Sequence, residues 1–354
     1  MPPATEQADL RAVPARMRWQ AEWCDKLGSP LYGSLLRHAA HDAERGGPVA
    51  AALAGREGDP LESMLQLRFM GAVHRLALAG RAPALARIYP SCGGSGDLRA
   101  AWPAFRATVE EHLDELRSLV MRPVQTNEVG RSRALALGFL TLASEAALPL
   151  RLLEVGASAG LNLRWDAYRY ESGEYEFGDP RSRVRFRDYI EGPPPPALPA
   201  RVDVAERAGC DERPVYLDED GQLTLRSYLW ADQLERLRVL NGALALAPRL
   251  PVRIERSGAA DWLGRRLAAP AEGVCTVVFH SIVMQYVEPA ERERITEVIA
   301  AAGARATPDA PLARLALEPG GELADLRVTV WPGGEERLLG QAGYHGEPVR
   351  WTVE

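Results

Sequence analysis

The stretch Leu150-Arg151-Leu152-Leu153-Glu154-Val155-Gly156-Ala157-Ser158-Ala159-Gly160 constrains the fold of this chain more than any other. A short apolar run ending in a glycine-bracketed turn reads as a buried strand passing into a helix start at Leu161-Asn162-Leu163, and it separates two textures of sequence. Upstream, over 16–147, apolar residues recur at helical spacing. Leu65, Phe69, Ala72 and Leu76 share one face, and Val109, Leu113, Leu116 and Val120 another. Glycine, proline and polar breaks at 45–48, 89–96 and 125–131 cut this region into five or six helices.

Downstream, short apolar strands alternate with amphipathic helices, the pattern of a largely parallel sheet covered on both faces. Strands are expected at 150–155, 202–210, 251–256, 274–280 and 312–318. Trp230, Leu234, Leu237, Leu240 and Leu244 line one intervening helix. A second, over 290–302, turns Ile295, Val298, Ile299 and Ala302 inward, with Pro289 at its start and Gly303 at its end. The tail reads as antiparallel: Leu326, Val328 and Val330 alternate with polar neighbours, Pro332-Gly333-Gly334 turns, and strands return over 336–344 and 349–353. Residues 168–200, rich in aromatics and containing Pro193-Pro194-Pro195-Pro196, read as a hairpin and a stiff spacer inserted after the first helix. The expected organisation is a helical cap domain over 1–130 and a Rossmann-like α/β domain over 131–354.

Composition sets the outer limits. A length of 354 residues with 46% apolar content supports two ordinary cores. A net charge of −6 argues against a nucleic-acid partner, although 41 arginines stand against the single lysine, Lys26. Cys24, Cys92, Cys210 and Cys275 are too scattered for a zinc site or a disulfide framework, so a reducing cytoplasm is expected and no metal. The first ten residues lack a basic and apolar signal. The longest apolar segment, 134–150, is broken by Ser144, Glu145 and Pro149, so no membrane span is expected.

The turn supports three chemistries. Gly156 and Gly160 permit positive φ and close backbone approach, and amides at a helix start would cradle a nucleotide-like ligand. The same letters read G-x-S-x-G, the nucleophile elbow of serine hydrolases, and Ser158, then Asp261 or Glu318, then His345 follow the α/β-hydrolase order. No strand upstream of 150 is expected to supply the second oxyanion amide. A nicotinamide dinucleotide site would want glycine at the middle position and a second mononucleotide half. A ligand-free structural turn is the plain alternative.

Strand-helix units opening on an acidic, glycine-rich first turn and closing on an antiparallel hairpin resemble the class I S-adenosylmethionine-dependent methyltransferases. The resemblance implies that Glu154, Gly156, Ala157, Ser158, Gly160 and Asn162 surround the cofactor, and that Asp211, after the second strand, holds the ribose. Asp211 lies 51 residues past Gly160 where dinucleotide folds place their acid about 20 on. Ser257-Gly258-Ala259-Ala260 stands where an acid would face the adenine. Over nearly its whole length the chain also resembles a bacterial family known as domain of unknown function 2332. That resemblance rests on Gly28-Ser29-Pro30-Leu31-Tyr32, His74-Arg75, Tyr89-Pro90-Ser91, the segment 125–131, the segment 154–165, and Val278-Phe279-His280-Ser281 with Gln285-Tyr286.

Methyl transfer from a sulfonium depends mainly on holding donor and acceptor in line, with a base needed only when the nucleophile must lose a proton. His280, closing the fourth strand, is the first candidate for substrate contact or proton acceptance, with Gln285 and Tyr286 beside it; a packing role explains His280 equally well. Asn127, Glu128 and Arg131 bring more polar chemistry than a connector requires and would lie over the methionine end of the cofactor, or cap a helix. Glu318 is a further cleft-edge acid, and His74 a buried histidine of the helical domain. The function expected is methyl transfer from S-adenosylmethionine to a small molecule or protein side chain; a serine hydrolase or a silent ligand-binding module are the alternatives.

Overall fold

The computed structural model describes residues 12–192 and 201–352; the tetraproline and the end of the last expected strand lie outside them. The chain divides into two compact units. The described residues up to Thr126 together with Leu217–Arg238 form one, and Asn127–Tyr216 with the residues from Val239 onward form the other.

The first unit is helical. Helices Val13–Lys26, Pro30–Glu44, Leu65–Leu78 and Leu98–Glu111 are its longest. Leu65, Phe69, Ala72 and Leu76 all turn into its core, as their spacing requires. The stripe from Val109 to Val120 is split at His112 into two helices, the second being Leu113–Leu119. Trp230 and Ala231 are buried in this core. Leu234, expected on an inward stripe, is instead exposed; helix Leu234–Leu246 buries Val239, Leu240, Ala243 and Leu244.

The second unit is mixed α/β around a large, mostly parallel sheet. In chain order its strands are β1 (Leu150–Val155), β2 (Arg169–Ser172), β3 (Tyr175–Gly178), β4 (Arg185–Arg187), β5 (Ile190–Glu191), β6 (Val204–Asp211), β7 (Arg253–Arg256), β8 (Cys275–Ser281), β9 (Leu312–Pro319), β10 (Ala324–Trp331), β11 (Glu335–Ala342) and β12 (Val349–Trp351). Nine of them run in the order β7-β6-β1-β8-β9-β10-β11-β12-β5. The first five are parallel, and β10, β11 and β12 follow as an antiparallel meander. The central parallel strands β1 and β8 are buried on both faces, which is why they read as apolar runs without alternation, whereas the edge strand β7 is not buried. Helices Ala259–Arg266 and Pro289–Gly303 cover the face that carries Leu153, Val155 and Val278. Phe139, on helix Ser132–Ala146, packs edge-on against Phe279 of β8 on the other face, at 4.9 Å between centroids.

One expected element is replaced. The turn at Gly160 leads into the short 3-10 stretch Asn162–Ala167, broken at Arg164 by non-helical dihedrals, and no long helix follows. Asn162, Leu163, Arg164 and Trp165 are all buried, so this segment has no solvent face and cannot form an amphipathic helix. A three-stranded sheet, β3-β2-β4, fills the space with aromatic rings. Trp165 stacks between Phe139 and Phe177 at 4.9 and 5.4 Å. The Tyr168 hydroxyl donates to the Leu161 carbonyl at 2.6 Å, and so braces the turn. No helix among the described residues is long and apolar enough to cross a membrane.

Candidate functional site

In sequence order β1, β6, β7, β8 and β9 take the arrangement 3-2-1-4-5 of doubly wound sheets, with the order reversing between β1 and β8. Ligands of such sheets bind beyond the carboxyl ends of the strands at that reversal. Glu154, the glycine turn, Asp211 and Ser281 all lie at those ends.

Asp211 ends β6 in register with the turn, because Val155 pairs with Cys210. The inserted strands β2 to β5 account for its distance in sequence. Its carboxylate accepts the Ser158 amide at 2.9 Å and the Arg213 amide at 2.8 Å. The acid at the end of β6 thus fixes the glycine turn and holds Ser158 at φ 52°, a backbone conformation that non-glycine residues adopt only when their surroundings enforce it. Ser158 is 4% exposed.

Glu154 is buried, on the face opposite Val155. Desolvation, with the like charge of Asp211, pushes its carboxyl well above the usual carboxylate range, against the pull of Arg164, Arg131 and a hydrogen bond with Asn162. Asn162 in turn accepts from the Ser132 hydroxyl at 2.8 Å. Glu154 Oε2 has no hydrogen-bond partner among the described residues. An unsatisfied buried acceptor is costly, and here it stands at the topological switch point.

The segment before helix Ser132–Ala146 crosses over these strand ends. Asn127 Oδ1 accepts the Leu161 amide at 2.8 Å, and Glu128 Oε1 accepts the Gly130 amide at 3.1 Å. Arg131 donates to the carbonyls of Ser281 at 3.0 Å and Tyr344 at 3.1 Å, tying the ends of β8 and β11 to its own loop. Arg164 folds back on the turn, donating to the Gly160 carbonyl at 2.7 Å. Asn127, Arg131, Glu154, Asn162, Ser158 and Asp211 therefore belong to one network.

Both glycines of the turn are approached by the chain itself. Gly156 has φ 69°, and a methyl group there would overlap Val283 Cγ2. Gly160 has φ 67°, and its methyl would stand 2.8 Å from Ile254 Cδ1 and 2.9 Å from Val252 Cγ2. Ala157 is fully buried, its amide bonded to the Cys210 carbonyl. Val283 belongs to the segment after β8, which begins with Ile282 at φ 51°, a strained conformation for a β-branched residue.

His280 is fully buried, and its ring is engaged on both sides. Nδ1 lies 2.7 Å from Glu318 Oε1, while Nε2 lies 3.3 Å from Arg314 Nε and Nη2. Guanidinium can only donate, so Nε2 accepts and Nδ1 carries the proton. Glu318 Oε1 also accepts the Val283 and Met284 amides at 3.1 and 3.3 Å. The His280–Glu318 pair thereby anchors the segment that covers Gly156. Tyr286 extends from that segment, 47% exposed as a residue, and is hydrogen-bonded with the Gln285 side chain near Arg131; desolvation raises its phenol. Asp261, by contrast, sits on helix Ala259–Arg266 and pairs with Arg294 at the surface. His74 lies in the helical unit.

The motifs at 154–165, 278–281 and 285–286 were legible in sequence, but Val283 and Ser132 carried no signal there. A concavity lined by Arg151, Leu267, Thr276, Arg305 and Leu312 lies at the opposite, amino-terminal ends of β1, β8 and β9.

No curated protein and no solved structure is significantly similar to this chain. The family described as "Uncharacterized protein conserved in bacteria (DUF2332)" matches residues 14–351, and the chain belongs to that family.

Proposed function

We propose that the second unit binds S-adenosylmethionine beyond the carboxyl ends of β1, β6 and β8 and serves as a methyltransferase for a small molecule or a protein side chain, its sheet being of the class I methyltransferase type. The observation that carries this reading is Glu154, a buried acid at the switch point with an oxygen that no group among the described residues satisfies. An ammonium group supplies the missing partner and draws the carboxyl back to its charged form. Asp211, with two lone-pair sites taken by amides, keeps capacity to accept ribose hydroxyls.

When bound, the cofactor supplies an electrophilic methyl group on a sulfonium. The chain's own part is alignment and exclusion of water. Arg131 holds the ends of β8 and β11 together around the site. His280 is a positioning residue that, through Glu318, sets the segment over the turn. Tyr286 is the side chain of that segment that meets an acceptor arriving from solvent. Because Val283 rests on Gly156, ligand binding requires the 282–286 segment to draw back.

The serine hydrolase reading has one observation in its favour, the positive φ of Ser158. Against it, no strand among the described residues precedes β1 to offer an oxyanion amide.

Calorimetric titration with S-adenosylmethionine and with its demethylated product tests the proposal. Binding by the wild type, abolished in Gly156→Val and weakened in Asp211→Ala, is expected. No heat from either ligand with folded protein, or undiminished binding by Gly156→Val, would overturn it.

A further inference from the structure

We propose that the helical unit holds a second reactive centre, in which Ser91 is a nucleophile activated by His74 and accepts an acyl group from an ester. Three segments distant in sequence converge there: Ser29-Pro30-Leu31-Tyr32, His74 on helix Leu65–Leu78, and Tyr89-Pro90-Ser91. Methyl transfer gives none of them a task.

His74 is fully buried, and its Nδ1 stands 3.1 Å from the Ser227 carbonyl. A carbonyl can only accept, so Nδ1 carries the proton and Nε2 presents its lone pair. Ser91 Oγ lies 2.7 Å from that Nε2 and donates its hydroxyl proton to it. Nucleophile, base and orienting acceptor therefore stand in the arrangement that activates serine, with a backbone carbonyl in the orienting place. Burial lowers the imidazole to about 4, so the base is neutral over the whole physiological range. Ser91 sits on the short turn Pro90–Cys92, partly exposed beside exposed Gly93, and its own amide is fixed to the Ala231 carbonyl at 2.8 Å.

Tyr89 gives an independent sign that something is to be bound. It is fully buried, its hydroxyl has no hydrogen-bond partner among the described residues, and its ring lies 5.3 Å from the imidazole. Such a phenol is placed to donate to an oxygen that gains charge. Tyr32 stands edge-on to the imidazole at 6.4 Å and packs against Trp230 at 6.3 Å, and Asp232 is occupied by the Ser29 hydroxyl and the Leu31 amide. These neighbouring rings suit an uncharged acyl group.

The Ser91 Oγ–carbon bond forms as the hydroxyl proton passes to Nε2 and the carbonyl π pair moves onto oxygen. When the carbonyl re-forms, the bond to the leaving alkoxide breaks and the alkoxide takes the proton from Nε2. Water then repeats the sequence, releasing the carboxylic acid and restoring Ser91.

The test is to expose the 354-residue protein to a fluorophosphonate probe and to p-nitrophenyl acetate, and to map the adduct by peptide mass spectrometry. The adduct is expected on the peptide containing Ser91, absent from Ser91→Ala and retained in Ser158→Ala. His74→Gln should slow labelling by about 10²- to 10⁴-fold, the usual weight of a general base. For wild type, the labelling rate should hold steady from pH 8 down to about 5, because the base protonates only near 4. An adduct at Ser158 or any other serine, or no adduct on folded wild type, overturns the proposal. Should His74→Gln fail to fold, the wild-type map and Ser91→Ala decide it alone.

Discussion

The contact between Val283 and Gly156 can be weighed by a double-mutant cycle. Gly156→Ala puts a methyl group on a residue at φ 69° and drives it into Val283 Cγ2. The left-handed conformation costs about 1–2 kcal/mol for a residue with a Cβ. Overpacking a filled site adds about 1–3 kcal/mol, so the single substitution should destabilise by about 2–5 kcal/mol. Val283→Ala removes the overlapping atom and leaves Val283 Cβ as the nearest neighbour, at 3.1 Å. In that background Gly156→Ala should cost only the conformational part, giving a coupling of about 1–3 kcal/mol between the sites. Urea denaturation of the four proteins, extrapolated linearly to water, measures it. An equal cost in both backgrounds would show that Val283 does not rest on the turn, and the idea that this segment must withdraw for a ligand would fail with it.

Glu154→Gln tests the buried acid through pH. Its folded carboxyl is raised, so the folded state keeps a proton that the unfolded chain loses above about 4.3, and wild-type stability falls as pH rises from there toward the folded value. The variant lacks this loss, so its advantage in urea midpoint should grow from pH 5 to pH 8; parallel profiles would contradict the assignment. Asp211→Asn retains one acceptor for two amides and should destabilise by about 1–3 kcal/mol, read as a lowered midpoint. Tyr168→Phe strips the Leu161 carbonyl of its phenol donor and should cost about 1–2 kcal/mol in the same assay; an unchanged midpoint would mean the aromatic insert does not brace the turn.

The sheet was readable because parallel strands covered on both faces must be nearly continuous apolar runs, and β1 falls on 150–155 as its pattern requires. The antiparallel tail was readable from alternation and the Pro332-Gly333-Gly334 turn. The missing first crossover helix was not. Leu161-Asn162-Leu163 resembles a helix start, but Arg164 is spent on the Leu250 carbonyl and Trp165 on a ring stack with Phe139, contacts made by chain distant in sequence. Leu234 shows the limit of a periodic stripe, whose phase cannot reveal where the chain before it turns. At the site, Glu154, Asp211, Asn127 and Arg131 carried sequence signals that the fold brings together. The occupation of His280 by Arg314 and Glu318 depends on the pairing of β8 with β9, which no local pattern encodes.

A crystal of the protein grown with S-adenosylmethionine should show ligand density beyond the carboxyl ends of β1 and β8, its ammonium against the Glu154 carboxyl and Val283 displaced from Gly156. Density elsewhere, or a ligand-free turn with Val283 still seated on it at saturating ligand, would contradict the proposed site.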